Sequence, residues 1–324
     1  MHWLKRIGSG LGALFALLIV SGFIYQKAGA ARDSALKPPA NEMVSVNGHR
    51  VHVACMGTGP HTYLLEAGHA SWSFAWWRIQ PLLAKTGRAC AFDRPGFGWS
   101  DWVDSGYDGL SAAAELAAIV KAAHIPTPFI YVGHSSGANF ALIYANKYPK
   151  DVSALVLLDP ADPQSMLARF HGTRADAIAV SDCGVACNLY VAAAHLGVTR
   201  LMSRGAGEHA LPPAPRDQLR AGLARPGTAY AVAAQMTNWP KTAYETEDVH
   251  SIGDTPLLMI LSSSRAGQSD PCRNACLTHM LSLSTHSAPP VVVPNATHVS
   301  FVGGDQAPMT AEKIVAFARA LPAQ

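Results

Sequence analysis

Apolar positions run without a charge from Ile7 to Tyr25, and beyond that the chain turns to short apolar runs alternating with amphipathic stretches. Lys5 and Arg6 precede the first run, and Lys27 and Arg32 follow it. About 19 residues at about 1.5 Å each give a helix near the hydrocarbon thickness of a bilayer. Two readings are open for residues 1–30. The segment is a retained signal anchor, or it is a signal peptide with Ala28-Gly29-Ala30 as a small-residue cleavage site. The run exceeds the usual signal-peptide core, which favours the anchor. Both readings export the rest of the chain, because Lys5 and Arg6 stay inside. The expected location is membrane-anchored with the bulk of the chain outside the cytoplasm, or secreted or periplasmic after cleavage near Ala30.

Residues 31–42, with Pro38-Pro39, read as a linker. Met43–Val46 and Arg50–Cys55 then flank Asn47-Gly48, a hairpin signal. Thr62–Glu66, Arg88–Phe92, Phe129–Gly133, Val152–Leu158, Pro256–Leu261 and Pro290–Val293 are short apolar runs of strand type. Between them, Ser71–Lys85, Ser111–His124, Ala138–Tyr148 and Thr310–Leu321 have helical character. Strands alternating with helices predict an α/β fold around a mostly parallel sheet. From Asp162 to Gly253 the strand pattern stops for about ninety residues, too long for a plain loop. The expected organisation is a core in two parts, residues 43–161 and 254–324, interrupted by a helical lid over residues 162–253.

Composition narrows the class. The 324 residues are 49% hydrophobic and 15% charged, so the chain has material for a large core. The net charge of +3 is not clustered, and no basic stripe points to nucleic acid. Six cysteines, an even number in an exported chain, suggest disulfides. Cys183-x3-Cys187 and Cys272-x3-Cys276 invite bridging within or between the two segments. A zinc site is the less favoured reading of these pairs. No G-x-G-x-x-G, P-loop or H-E-x-x-H is present, so no cofactor is expected.

The candidate chemistry lies in Val132-Gly133-His134-Ser135-Ser136-Gly137-Ala138. G-x-S-x-G alone is a weak signal. Here a predicted strand precedes it and a predicted helix follows, the context of a nucleophile elbow, which selects Ser135 rather than Ser136. A serine hydroxyl needs a base, and the base needs an orienting acid. His298 follows the last predicted strand and is the candidate base. Asp270 fits the chain order Ser, Asp, His and is the favoured acid, with Asp159 at the end of the strand after the elbow helix as its rival. Oxyanion donors are expected from the backbone N–H of Ser136 and from the loop after Thr62–Glu66, through His69 or Ala70.

With these segments in view, the chain resembles the α/β-hydrolase superfamily, in its serine-nucleophile branch, and most the exported or membrane-anchored bacterial hydrolases. The resemblance rests on the VNGHRVHVACMGTGP hairpin, LEAGHASWSFAWW, CAFDRPGFGWSD, YVGHSSGANFAL, LVLLDPADP and NATHVSFVGGDQAP. It implies an eight-stranded sheet, with the second strand beside the fourth, which would place Cys55 near Cys90. Asp93 and Arg94 read as an ion pair fixing a loop beside the pocket. The chain departs from the pattern twice. Ala67-Gly68 stands where His-Gly is usual, and Ser or Arg fills the usual acid position after Pro256–Leu261. Epoxide hydrolases and haloalkane dehalogenases of this fold carry Asp at the elbow, so Ser135 implies acyl transfer by an esterase, lipase, thioesterase or peptidase, with the carboxylesterase or lipase kind favoured. Trp72, Phe74, Trp76, Trp77, Trp99 and Trp102 in the flanking loops lean toward a small-molecule substrate with an apolar acyl group. The alternative is a ligand-binding protein on the same fold with little activity.

Overall fold

A computed structural model of the chain describes all residues except 1, 37, 39–41, 105, 169, 171, 180–183, 208–210, 267–270 and 323–324. The sheet has eight strands: β1 (Met43–Val46), β2 (His49–Met56), β3 (Thr62–Glu66), β4 (Arg88–Phe92), β5 (Phe129–His134), β6 (Val152–Leu158), β7 (Leu257–Ser262) and β8 (Val291–Val293). Their order is β1-β2-β4-β3-β5-β6-β7-β8, with β1 and β2 antiparallel to their neighbours and the rest parallel. Strands β3, β5 and β7 are buried along their whole length. Helices cover both faces, so these strands are continuously apolar rather than alternating.

Helix α1 (His2–Asp33) precedes the sheet. Helices α2 (Ile79–Leu83), α3 (Gly109–Ala122) and α4 (Ser136–Lys147) lie between β3 and β6. Asp108 caps α3 by accepting from Ser111 N at 3.0 Å. One apolar cluster packs α3 and α4 on one sheet face, through Leu116, Leu142 and Tyr144. The other packs Trp76, Ile79 and Ile314 against the opposite face. The predicted helix 71–85 is broken: a 3-10 turn over Ser73–Trp76 precedes the short α2, because Trp76 and Ile79 both turn into the core.

Between β6 and β7 the described residues form α5 (Pro163–Leu167), α6 (Arg174–Ala179), α7 (Val185–His195), α8 (Val198–Met202), α9 (Pro213–Leu223) and α10 (Pro226–Glu247), and no strand. After β7 come α11 (Ser263–Ala266) and α12 (Pro271–Ser282), and after β8 come α13 (Ser300–Gly303) and α14 (Ala307–Arg319). At the hairpin, Asn47 (φ 48°) and Gly48 (φ 86°) are both left-handed, as a two-residue turn with the twist of its strands requires. β2 pairs with β4 so that Cys55 lies directly opposite Cys90, and their Sγ atoms are at a bonding 2.08 Å. Cys187 is also disulfide-bonded, while Cys183 and the side chain of Cys272 lie outside the described residues.

Candidate active site

A single residue, Ser135, separates β5 from α4. Its φ of 56° and ψ of −122° lie where L-residues rarely sit. The flanking glycines make this turn possible. A Cβ on Gly133 would lie 2.5 Å from Gly137 O, and one on Gly137 would lie 2.5 Å from Glu66 O. The strained turn is held by Ser135 N donating to Leu158 O at 2.9 Å and Ala161 N donating to Ser135 O at 3.1 Å. The Ser135 side chain then stands at the C-terminal edge of the sheet, on a cavity of about 630 Å³ that His298 also lines.

Asp159 follows β6 directly and is itself left-handed, with φ 42°. Its Oδ2 accepts from His298 Nδ1 at 3.1 Å and from the Ser262 hydroxyl at 2.6 Å, and its Oδ1 accepts from Ser262 N at 2.8 Å. Burial alone would raise this carboxyl. The hydrogen bonds from His298 and Ser262 outweigh it and hold Asp159 below the usual carboxylate range. Asp270, the favoured acid, lies outside the described residues; among the described residues the carboxylate bonded to His298 is that of Asp159, its rival. Ser262, at the end of β7, fills the usual acid position and points two donors across to the neighbouring strand.

His298 Nδ1 is thereby engaged, which leaves Nε2 for the cavity. Among the described residues no hydrogen bond joins Ser135 Oγ to His298 Nε2. His134, one residue before Ser135, holds the His298 loop instead. Its Nε2 donates to His298 O at 2.9 Å, and the two rings lie 4.5 Å apart between centroids. Burial first, and then the neighbouring His298, push the His134 pKa down to about 3, so it is neutral at ordinary pH.

The loop after β3 meets Ser135 from the other side. A Cβ on Gly68 would lie 2.9 Å from Ser135 Cβ, so only glycine fits there without displacement. The buried Arg94 guanidinium donates to Ala67 O and Gly68 O, each at 2.7 Å, and pairs with Glu66 at 3.1 Å. In a trans peptide the N–H points opposite to the C=O. With Gly68 O drawn onto Arg94, the His69 N–H faces away from Arg94. His69 lines the cavity, and neither its backbone N–H nor that of Ser136 donates to an acceptor among the described residues. The Gln235 amide from α10 lies between Arg94 and His69. With its oxygen on Arg94 Nε and Nη2, at 3.1 and 3.2 Å, its nitrogen faces His69 Nδ1 at 3.1 Å. The reverse orientation would give Ala70 N an acceptor at 3.3 Å but would set amide protons against a guanidinium. We therefore assign the first. Burial, and then the charge of Arg94, lower the His69 pKa.

The sequence of residues 61–181 matches the family described as alpha/beta hydrolase fold. An epoxide hydrolase named CorEH superposes with a TM-score of 0.64 at 17% identity, covering 86% of this chain and 98% of that one. An epoxide hydrolase from Vigna radiata gives 0.64 at 17% identity, covering 86% and 97%. The chain has the α/β-hydrolase fold. Among curated relatives of this hydrolase-fold chain, an uncharacterized protein of Bacillus subtilis (strain 168) is 28% identical over 164 residues, which is 50% of each chain. A cis-3-alkyl-4-alkyloxetan-2-one decarboxylase of Shewanella oneidensis is 29% identical over 127 residues, 38% of this chain and 40% of that protein. The match thus spans about half or less of these curated relatives.

Several residues of this candidate site escaped the sequence reading. His134 had a signal, since the residue before the elbow serine ends a buried strand. Ser262 and Gln235 had none, because their roles depend on partners more than a hundred positions away. Asp93 and Arg94 do fix the loop, but not with each other. Asp93 takes His52 Nδ1 at 2.8 Å, and Arg94 takes Glu66. The aromatic residues divide as well. Phe74 and Trp77 line the cavity, Trp72 and Trp76 are buried, and Trp99 and Trp102 line a separate cleft beside α1.

Proposed function

We propose that the chain is a serine hydrolase cleaving an ester-type acyl bond, with Ser135 as nucleophile, His298 as general base and Asp159 as the orienting acid. Ser135 Oγ attacks the acyl carbon while His298 Nε2 takes its proton. Asp159 holds the imidazole with its other proton on Nδ1 and stabilises the cation that forms. The Ser136 and His69 N–H groups receive the oxyanion. His298 then returns the proton to the leaving alcohol, and water repeats the sequence on the acyl-enzyme. The observation that carries this reading is the Asp159–His298 hydrogen bond at 3.1 Å, on the same cavity as a strained elbow serine. Phe74, Trp77, Leu211 and Leu219 on that cavity favour an apolar acyl group. Helix α1, charge-free over Ile7–Tyr25 and exposed over Ile7–Ser21, anchors the chain in a membrane with the hydrolase fold outside the cytoplasm.

One feature opposes the chemistry in its neighbours' names, and another opposes the proposed hydrolysis itself. Ser135 replaces the aspartate that epoxide hydrolases carry at the elbow. The Ser135–His298 hydrogen bond is not formed, as a ligand-binding relative of low activity would also have it. Fluorophosphonate labelling decides between enzyme and binding protein. Fast labelling that is lost in Ser135→Ala supports the hydrolase. A folded protein that does not label overturns it.

A further inference from the structure

Helices α7 and α8 are together apolar enough for a membrane span, yet they bend by 79° between His195 and Val198 and so cannot cross as one rod. Their outer face is apolar and open. Val185, Leu189, Leu201 and Met202 are 75%, 65%, 56% and 77% exposed. Single exposed apolar residues are ordinary, but a contiguous face beside a membrane helix is not.

What places this face is its contact with α1. A Cβ on Gly22 would lie 2.6 Å from Leu196 O, and one on Gly197 would lie 2.7 Å from the Tyr25 ring. Gly22 and Tyr25 form the last turn of the charge-free run, so the α7–α8 corner sits at the depth where that run meets water. The next turn of α1 is tied by polar contacts to α8 and to Ala224 at the end of α9. Gln26 is buried, donates to Ala224 O at 2.8 Å and accepts from Arg200 Nε at 3.0 Å. Arg200 pairs with Asp33 at 2.7 Å, and the Arg204 guanidinium lies 5.5 Å from the Tyr25 ring centre. An aromatic and several cations at the end of an apolar run are the side chains of a lipid–water boundary.

We infer that α7 and α8 form an interfacial wedge that seats the hydrolase fold on the bilayer crossed by α1, with the acyl-chain border of the outer leaflet as its partner. A helix pair too short and bent to span lies in the interface with its apolar face down. The chain beyond the wedge contributes Gly207, Leu211 and Leu219 to the Ser135 cavity. The wedge therefore places that cavity wall beside lipid, and an acyl compound dissolved in the membrane is the substrate class it serves. This rests on the reading of α1 as an anchor.

The test uses the full-length chain in phosphatidylcholine vesicles in which part of the lipid carries an acyl-chain diazirine. After irradiation, lipid adducts are mapped by peptide mass spectrometry. Adducts on residues 7–25 and also on residues 185–202 are expected. Adducts confined to residues 7–25 overturn the wedge and leave the anchor standing, whereas adducts on neither overturn both. In the double variant L189E/M202E, adducts on 185–202 should be lost while those on 7–25 remain. The same variant should lose hydrolysis of a long-chain ester held in the vesicles and keep that of a short, water-soluble ester. Undiminished adducts on 185–202 in the variant overturn the wedge. If the wild type hydrolyses neither ester, the esterase reading falls and the adduct map still decides the wedge.

Discussion

His298 Nδ1 lies 3.1 Å from Asp159 Oδ2 across 139 positions of sequence, and Ser262 supplies the other donors to that carboxylate. In the proposed triad the acid thus leaves β6, one strand earlier than the usual position, while Ser262 stands at the end of β7. Asp159→Asn should lower kcat on a soluble ester by about 10³–10⁴, because the amide cannot hold the imidazole with its proton on Nδ1. Asp270→Asn should change kcat by no more than a few-fold. Steady-state kinetics of the two folded variants settle the choice, and the opposite ranking would return the acid to Asp270.

The contact between Gly68 and Ser135 makes a second prediction. In Gly68→Ala the new Cβ would meet Ser135 Cβ at 2.9 Å and His134 O at 3.2 Å. Both neighbours are fixed by the elbow, so the nucleophile or the oxyanion loop must shift. A displacement near 1 Å at a reacting centre costs about 10² in rate. The expected result is a loss of that order in kcat/KM with an unchanged circular dichroism spectrum. Ser135→Ala should abolish turnover, and Ser136→Ala, which keeps its backbone N–H, should be nearly active. A dead Ser136→Ala beside an active Ser135→Ala would remove the elbow reading.

The sheet was legible because its strands are apolar along their length and end on Gly, Pro or polar residues. That Ser135 and His298 come to one cavity was legible because a motif and a chain position pointed to them. The carboxylate bonded to His298 was not, since Asp159 and Asp270 both follow apolar runs and the contact of Asp159 with Ser262 and His298 depends on the β6–β7 register. The same holds for Arg94. Its pairing with Glu66 and two loop carbonyls exists only once β3 and β4 lie side by side. The break in the predicted helix 71–85 was hidden for a related reason. Its aromatic residues carry helical spacing, yet Trp76 and Phe74 leave in different directions, one to the core and one to the cavity.

The Cys55–Cys90 pairing closes a loop over a separation of 35 residues between antiparallel neighbours. In the chain-entropy account a loop of that length is worth about 4 kcal/mol, and measured bridges of this kind give about 2–4 kcal/mol. Cys55→Ser/Cys90→Ser should therefore unfold at clearly lower urea concentration than the wild type. Peptide mapping without reductant should recover residues 55 and 90 in one linked fragment. Two free thiols at these positions in protein from the exported fraction would refute the bridge.

His134 offers a test of the site's electrostatics that does not depend on substrate. Its pKa stands at about 3 in the fold, against an ordinary value of 6.5. The unfolded chain therefore takes up a proton below pH 6.5 that the folded chain refuses until about pH 3. The stability owed to neutral His134 is complete above pH 6.5 and is lost as pH falls toward 3, by up to about 1.4 kcal/mol per pH unit. His134→Gln keeps an N–H of similar reach for His298 O and has nothing to titrate. Urea unfolding of both proteins at pH 7.5, 6.5 and 5 should show the wild type losing about 1–2 kcal/mol more than the variant between the last two. The carboxylates, Asp159 among them, are common to both proteins and cancel in the difference. Parallel curves for the two proteins would mean that His134 is protonated in the fold, which would set a cation against His298 and remove it as a fixed support for the base.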